Sequence, residues 1–193
     1  MPTTGRAGRR SESCGGKTVG ILGFGEVGAE LAHRLQGWGC QVLYHKRRRL
    51  PEEVDRALSI TYVEVEALAA ESDYLVVLLP YSPETDGMLD ATFFSKMKAS
   101  AALVSCGSGS VIDEGALAEA VRSGHLSGAA LDTYEWEPLR ADSPLLPLAR
   151  AGYNVLLTPH IAAGASAQDP GRSEDYANIV NHIQGRPLRY RLV

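Results

Sequence analysis

Short apolar runs alternate along the chain with stretches whose apolar residues recur at helical spacing. Thr18–Leu22 (TVGIL), Gln41–His45 (QVLYH), Tyr74–Leu79 (YLVVLL), Ala101–Ser105 (AALVS), Gly128–Asp132 (GAALD) and Asn154–Thr158 (NVLLT) read as strands. Several are continuous apolar runs, the pattern of strands covered on both faces. After the first strand, Leu31 and Leu35 form a helical stripe with Val27 and Ala32 beside them, stopped by Gly37 and Gly39. Glu64–Glu71 predicts a short helix, and Pro80 ends the strand that follows. Asp113 is the expected N-cap of a helix running to Arg122, with Gly124 past its end. Tyr176, Ile179, Val180 and Ile183 fall at i, i+3, i+4 and i+7 and predict a final amphipathic helix. Strands alternating with helices imply parallel pairing through right-handed crossovers. The expected fold is a doubly wound parallel α/β sheet with its ligand site at the carboxyl ends of the strands.

Composition narrows the class. The chain has 193 residues, 45% hydrophobic and 22% charged, as expected of an ordinary globular domain. No apolar run reaches the ~18 residues of a membrane span. Nineteen Lys and Arg against 23 Asp and Glu give a net charge of -4, which argues against a general nucleic-acid binder. Cys14, Cys40 and Cys106 are scattered, with no CxxC spacing, so neither a disulfide framework nor a metal site is expected and the chain reads as reduced and cytoplasmic. Residues 1–16 are polar, Gly/Ser-rich and basic, and without an apolar segment they are no secretory signal; they read as a disordered tail, with a transit peptide or a nucleic-acid arm as the alternatives. Residues 17–187 form the expected domain and 188–193 a C-terminal tail.

Gly23-Phe-Gly25-Glu-Val-Gly28 spells GxGxxG between the first strand and its helix, the context in which the motif has a mechanism. Gly23 allows a tight turn, Gly25 admits a pyrophosphate close to the backbone, and Gly28 lets the helix pack on the strand. The plainer alternative is a tight strand–helix turn. At the end of the second strand an NAD site calls for a carboxylate that binds the ribose 2′-hydroxyl. Here the segment is His45-Lys46-Arg47-Arg48-Arg49, with no acid before Glu52. Lys46, Arg47 and Arg48 would attract a 2′-phosphate, so the expected cofactor is NADP(H) rather than NAD(H); a solvated basic loop is the alternative.

Beyond the glycine motif, KTVGILGFGEVG, LLPYSPETDGML, TFFSKMK, VIDEGALAEAVRSGHLSGAALDTYEWEP and LLTPHIAA together resemble the nucleotide-binding half of the D-2-hydroxyacid dehydrogenases, from Lys17 to Pro187. The basic loop is similar to that of the family's NADP(H)-using glyoxylate/hydroxypyruvate reductases. The resemblance implies a Rossmann-like NAD(P)-binding domain with His160 as catalytic acid/base and Glu137 orienting it. It implies further that Asp132 binds the nicotinamide carboxamide, that Glu26 and Val27 lie on the pyrophosphate, and that the Cys106 backbone lies beside the nicotinamide. Pro80 and Thr85 would flank the adenosine. By the residues alone, His160 after Pro159 at a strand end reads rather as a surface loop histidine, and Glu137, like Glu135, as a solvated loop acid. His33, His45, His125 and His182 are expected at the surface.

Two departures from the family matter. Ser108 stands where the family carries the arginine that grips the substrate carboxylate, so the substrate is expected to differ. Arg172 and Arg122 are the candidates for an arginine supplied from elsewhere. The family's substrate domain, built largely ahead of the nucleotide domain, is expected to be largely absent. A second copy or a partner chain would then complete the cleft over a small-molecule substrate, with no nucleic acid or membrane partner. Two functions follow: an NADP(H)-dependent oxidoreductase moving hydride to or from a small carbonyl or hydroxy compound, or a catalytically silent NAD(P)-binding sensor or scaffold.

Overall fold

The computed structural model describes residues 14–162, 181 and 184–187, and the chain divides into two compact units, Met1–Pro159 and His160–Val193. In the first unit β1 (Thr18–Leu22), β2 (Gln41–His45), β3 (Ile60–Tyr62), β4 (Tyr74–Val77), β5 (Ala102–Ser105), β6 (Gly128–Leu131) and β7 (Val155–Leu157) form one sheet in the order β3-β2-β1-β4-β5-β6-β7, every pair parallel. The helices are α1 (Glu26–Leu35), α2 (Glu52–Leu58), α3 (Val65–Glu71), α4 (Ala91–Lys96), α5 (Glu114–Arg122) and α6 (Leu145–Arg150), with a 3₁₀ turn at Gly109–Val111. The strand order reverses between β1 and β4, which creates a switch point.

Side chains divide by the two-residue period of the strands. Val19 and Ile21 of β1 join Val42 and Tyr44 of β2 in the core beneath α1, while Leu22, Leu43, Leu75 and Leu103 enter the larger core on the other face. Asp113 caps α5 as expected, accepting the Ala116 N–H at 2.9 Å, and Asp90 does the same for α4 through Phe93 at 2.8 Å.

Several expectations need correction. β4 ends at Val77 and β6 at Leu131, short of the predicted Leu79 and Asp132, because the chain turns onto the rim of the site there. The first helix buries Gly28, Ala32 and Leu35, and Val27 is 65% exposed instead of lining the stripe. The seven-residue α2, the three-residue β3 and the proline-containing α6 carry too little periodicity to be read in advance. Residues 14–16, placed in the tail, are tied in: the Gly16 N–H donates to Gly39 O at 2.8 Å. His45 and His125 are half-buried, meeting the carbonyls of Val63 and Phe94 at 2.9 and 3.0 Å. The stripe at Tyr176, Ile179, Val180 and Ile183, with Arg172 and His182, lies outside the described residues. No helix among those described is long and apolar enough to cross a membrane.

Candidate nucleotide site

The register pairs His45, Leu22, Val77, Ser105, Leu131 and Leu157 across the sheet, so the residues that follow each strand emerge along one rim. The Gly23–Gly28 turn, Lys46–Arg48, Pro80, Thr85, Cys106, Ser108 and Asp132 all belong to segments leaving that rim. Gly23 has φ +92°, and a Cβ there would meet the Leu78 and Leu79 backbone at 2.8 Å. At Gly28 an added Cβ would meet the Phe24 ring at 3.3 Å. Gly25 is different: its φ of −103° suits any residue, and an added Cβ would meet nothing within 4 Å. Neither conformation nor packing requires glycine at 25. What a side chain there would fill is the space beside the exposed start of α1, where a diphosphate can approach. The turn therefore fits a dinucleotide.

Beyond β4, the Thr85 hydroxyl accepts from the Ser82 N–H at 2.8 Å and donates to Pro80 O at 2.9 Å, which folds the 80–85 segment into a fixed loop. Hydrogen bonding from Ser82, and to a lesser extent the charge of Arg47, hold the Glu84 carboxyl below its usual range. After β5, the N–H groups of Cys106 and Gly107 both donate to Val77 O at 3.1 Å, and that of Ser108 donates to Leu79 O at 2.8 Å. The Ser108 hydroxyl lies 3.3 Å from that of Ser110. Cys106 is exposed; desolvation, with a smaller contribution from the Asp132 charge, pushes its thiol up.

Asp132 is 5% exposed and accepts from the Thr158 hydroxyl at 2.6 Å, which fixes its carboxylate at the end of β6. Tyr134 donates to Thr158 O at 2.8 Å, and burial followed by the Asp132 charge raises its phenol. Glu137 is exposed, and one of its oxygens accepts the Tyr134 N–H at 3.2 Å. His160 opens the second unit; it is exposed, with φ +54°, a left-handed backbone that non-glycine residues seldom adopt. Arg122 belongs elsewhere. It ends α5, which runs back from the rim, pairs with Glu119 at 2.6 Å and lines a recess with Ser100 and Asn154 at the strands' amino ends. Sequence reading missed Thr158 and Tyr134, whose partners lie 24 to 26 residues away. Among the described residues no His/Cys/Asp/Glu cluster could hold a metal.

An all-parallel sheet with a glycine turn and open backbone at its switch point defines a dinucleotide-binding domain. The model of the D-isomer specific 2-hydroxyacid dehydrogenase NAD-binding domain matches residues 3–162, and the chain belongs to that family. Glyoxylate/hydroxypyruvate reductase B of Salmonella newport (strain SL254) is 40% identical over 175 residues, covering 88% of this chain and 52% of that protein. The chain thus spans about half the length of the curated relatives it matches. Among solved structures, D-mandelate dehydrogenase of Rhodotorula graminis in its holo form superposes with a TM-score of 0.80 at 31% identity, over 92% of this chain and 51% of that one. A "Probable 2-hydroxyacid dehydrogenase" of Rhizobium etli CFN 42 in complex with NADP superposes with a TM-score of 0.75 at 30% identity, over 94% and 57%.

Proposed function

We propose that this chain is the nucleotide-binding part of an NADP(H)-dependent oxidoreductase acting on a small carbonyl or hydroxy compound in the cytoplasm. Gly25 carries the nucleotide half of the reading, since an added Cβ there would occupy otherwise empty space at the switch point. Bound NADP(H) supplies or accepts the hydride. Gly23–Gly28, with Glu26 and Val27, holds the diphosphate against the start of α1. Lys46, Arg47 and Arg48 attract the 2′-phosphate in a segment without a competing carboxylate. Pro80 and Thr85 would border the adenosine, Asp132 would accept from the nicotinamide carboxamide, and the Cys106 backbone would lie beside the ring. His160 gives or takes the proton at the substrate oxygen, with Glu137 as the carboxylate that orients it. The family motif at Thr158-Pro159-His160 and the left-handed backbone at His160 support that role.

Ser108 favours a second reading. A serine cannot supply the planar five-donor cation that grips a carboxylate, so the substrate lacks that group or the chain binds nucleotide without turnover. One experiment separates the two. NADPH and NADH binding are titrated by calorimetry, and NADPH consumption is followed with glyoxylate, hydroxypyruvate and non-acid carbonyls. The enzyme reading expects NADPH to bind preferentially and turnover to fall ~10²–10⁴-fold in His160→Ala. Tight NADPH binding with no turnover favours the silent module, and a preference for NADH overturns the cofactor assignment.

A further inference from the structure

The basic loop after β2 is anchored by a buried polar knot with no role in the chemistry above. Tyr44, fully buried on β2, donates its hydroxyl to Asp55 Oδ1 on α2 at 2.7 Å and accepts the Leu50 backbone N–H at 3.1 Å. Asp55, 8% exposed, also accepts from Arg49 Nη2 at 3.4 Å. The Arg49 guanidinium in turn lies 5.7 Å from the centroid of the Tyr62 ring. The Tyr44 ring packs 4.8 Å from that of Phe24, inside the glycine turn, and edge-on to Tyr62 at 5.6 Å. A single side chain thus joins the diphosphate turn, the far end of the basic loop and α2.

This arrangement divides the four cations. Arg49 is committed to Asp55 and Tyr62, whereas Lys46, Arg47 and Arg48 form no ion pair among the described residues. Those three occupy the span between two fixed points, His45 in register with Leu22 and Leu50 held by Tyr44. A loop already ordered by folding loses less freedom when it closes on a phosphate than a slack one does. The two dinucleotides differ only at the 2′ position, so a slack loop would weaken one and spare the other.

We infer that Tyr44 and Asp55 are positioning residues that set the preference for the 2′-phosphorylated dinucleotide by holding Lys46–Arg48 in place. The inference rests on the NADP(H) reading above. Its test uses the full chain, with dissociation constants for NADPH and NADH, and for 2′,5′-ADP and 5′-AMP, measured at one ionic strength alongside thermal unfolding.

Tyr44→Phe is expected to weaken NADPH and 2′,5′-ADP ~3- to 10-fold, the scale of one lost hydrogen bond, and to leave NADH and 5′-AMP unchanged. Asp55→Asn keeps an acceptor for Tyr44 but removes the anion holding Arg49, and is expected to give a smaller drop of the same sign. Should Tyr44→Phe not fold, Asp55→Asn decides. Equal weakening of both members of each pair, or an unchanged ratio, overturns the positioning role while leaving the NADP(H) reading intact. Wild-type protein without a preference for NADPH overturns both.

Discussion

Gly23 packs against the Leu78–Leu79 backbone while Gly25 borders open space, and the two positions answer to different constraints. A side chain at 23 must push β1 and β4 apart, so its effect on binding cannot be separated from its effect on folding. A Cβ added at Gly25 meets no neighbour within 4 Å, and Gly25→Val disturbs no side-chain cap, since Gly25 provides none. Its thermal midpoint is expected to stay near that of the wild type while NADPH affinity, measured by calorimetry, falls by at least ~10-fold, or about 1.4 kcal/mol. A large loss of stability would show that the space is needed by the protein itself. The motif was legible because three glycines followed an apolar strand. Tyr44 and Asp55 were not, because their bond spans 11 residues and ends on α2, an element too short and too charged to announce itself.

Among the elements, continuous apolar runs identified six of the seven strands, and the misses share one cause. β3 is a three-residue ITY with no longer apolar run around it, and four of the seven residues of α2 (EEVDRAL) are charged, so neither stands out as the equally short but more apolar β7 (VLL) and α3 (VEALAAE) do. The start of β1 is clipped by a residue whose role no pattern betrays. Asp73, just ahead of β4, accepts the Thr18 N–H at 2.9 Å and Lys98 Nζ at 2.7 Å. Hydrogen bonding from Lys98, then from Thr18, holds the Asp73 carboxyl below its ordinary value of 3.8. A carboxyl whose pKa is lower in the folded state stabilises the fold above its unfolded pKa. That contribution is lost as pH falls through the depressed folded value. Asp73→Asn keeps an acceptor for Thr18 but loses the ion pair, which is partly exposed. It is expected to cost about 0.5–1 kcal/mol at pH 7 and to match the wild type in strong acid, as read from urea unfolding at several pH values. A difference independent of pH would assign Asp73 a purely steric role.

For the molecule as a whole, nucleotide binding and folding are linked, since the turn, the basic loop and the β4–β6 loops come together only in the folded sheet. At 100 times its dissociation constant NADPH is expected to stabilise the native state by about 2.7 kcal/mol, and NADH at the same concentration by less. Differential scanning calorimetry at several NADPH concentrations checks this, and a midpoint indifferent to NADPH would remove the nucleotide from the account. The loop that carries Ser108 has a consequence of its own. A Cβ at Gly107 would sit 2.6 Å from Leu79 O, and one at Gly109 would strike the Tyr134 backbone, so both neighbours of Ser108 are locked by packing. Position 108 is a socket flanked by two sites at which packing admits no side chain. Variation in this loop is thereby channelled into the one residue between them.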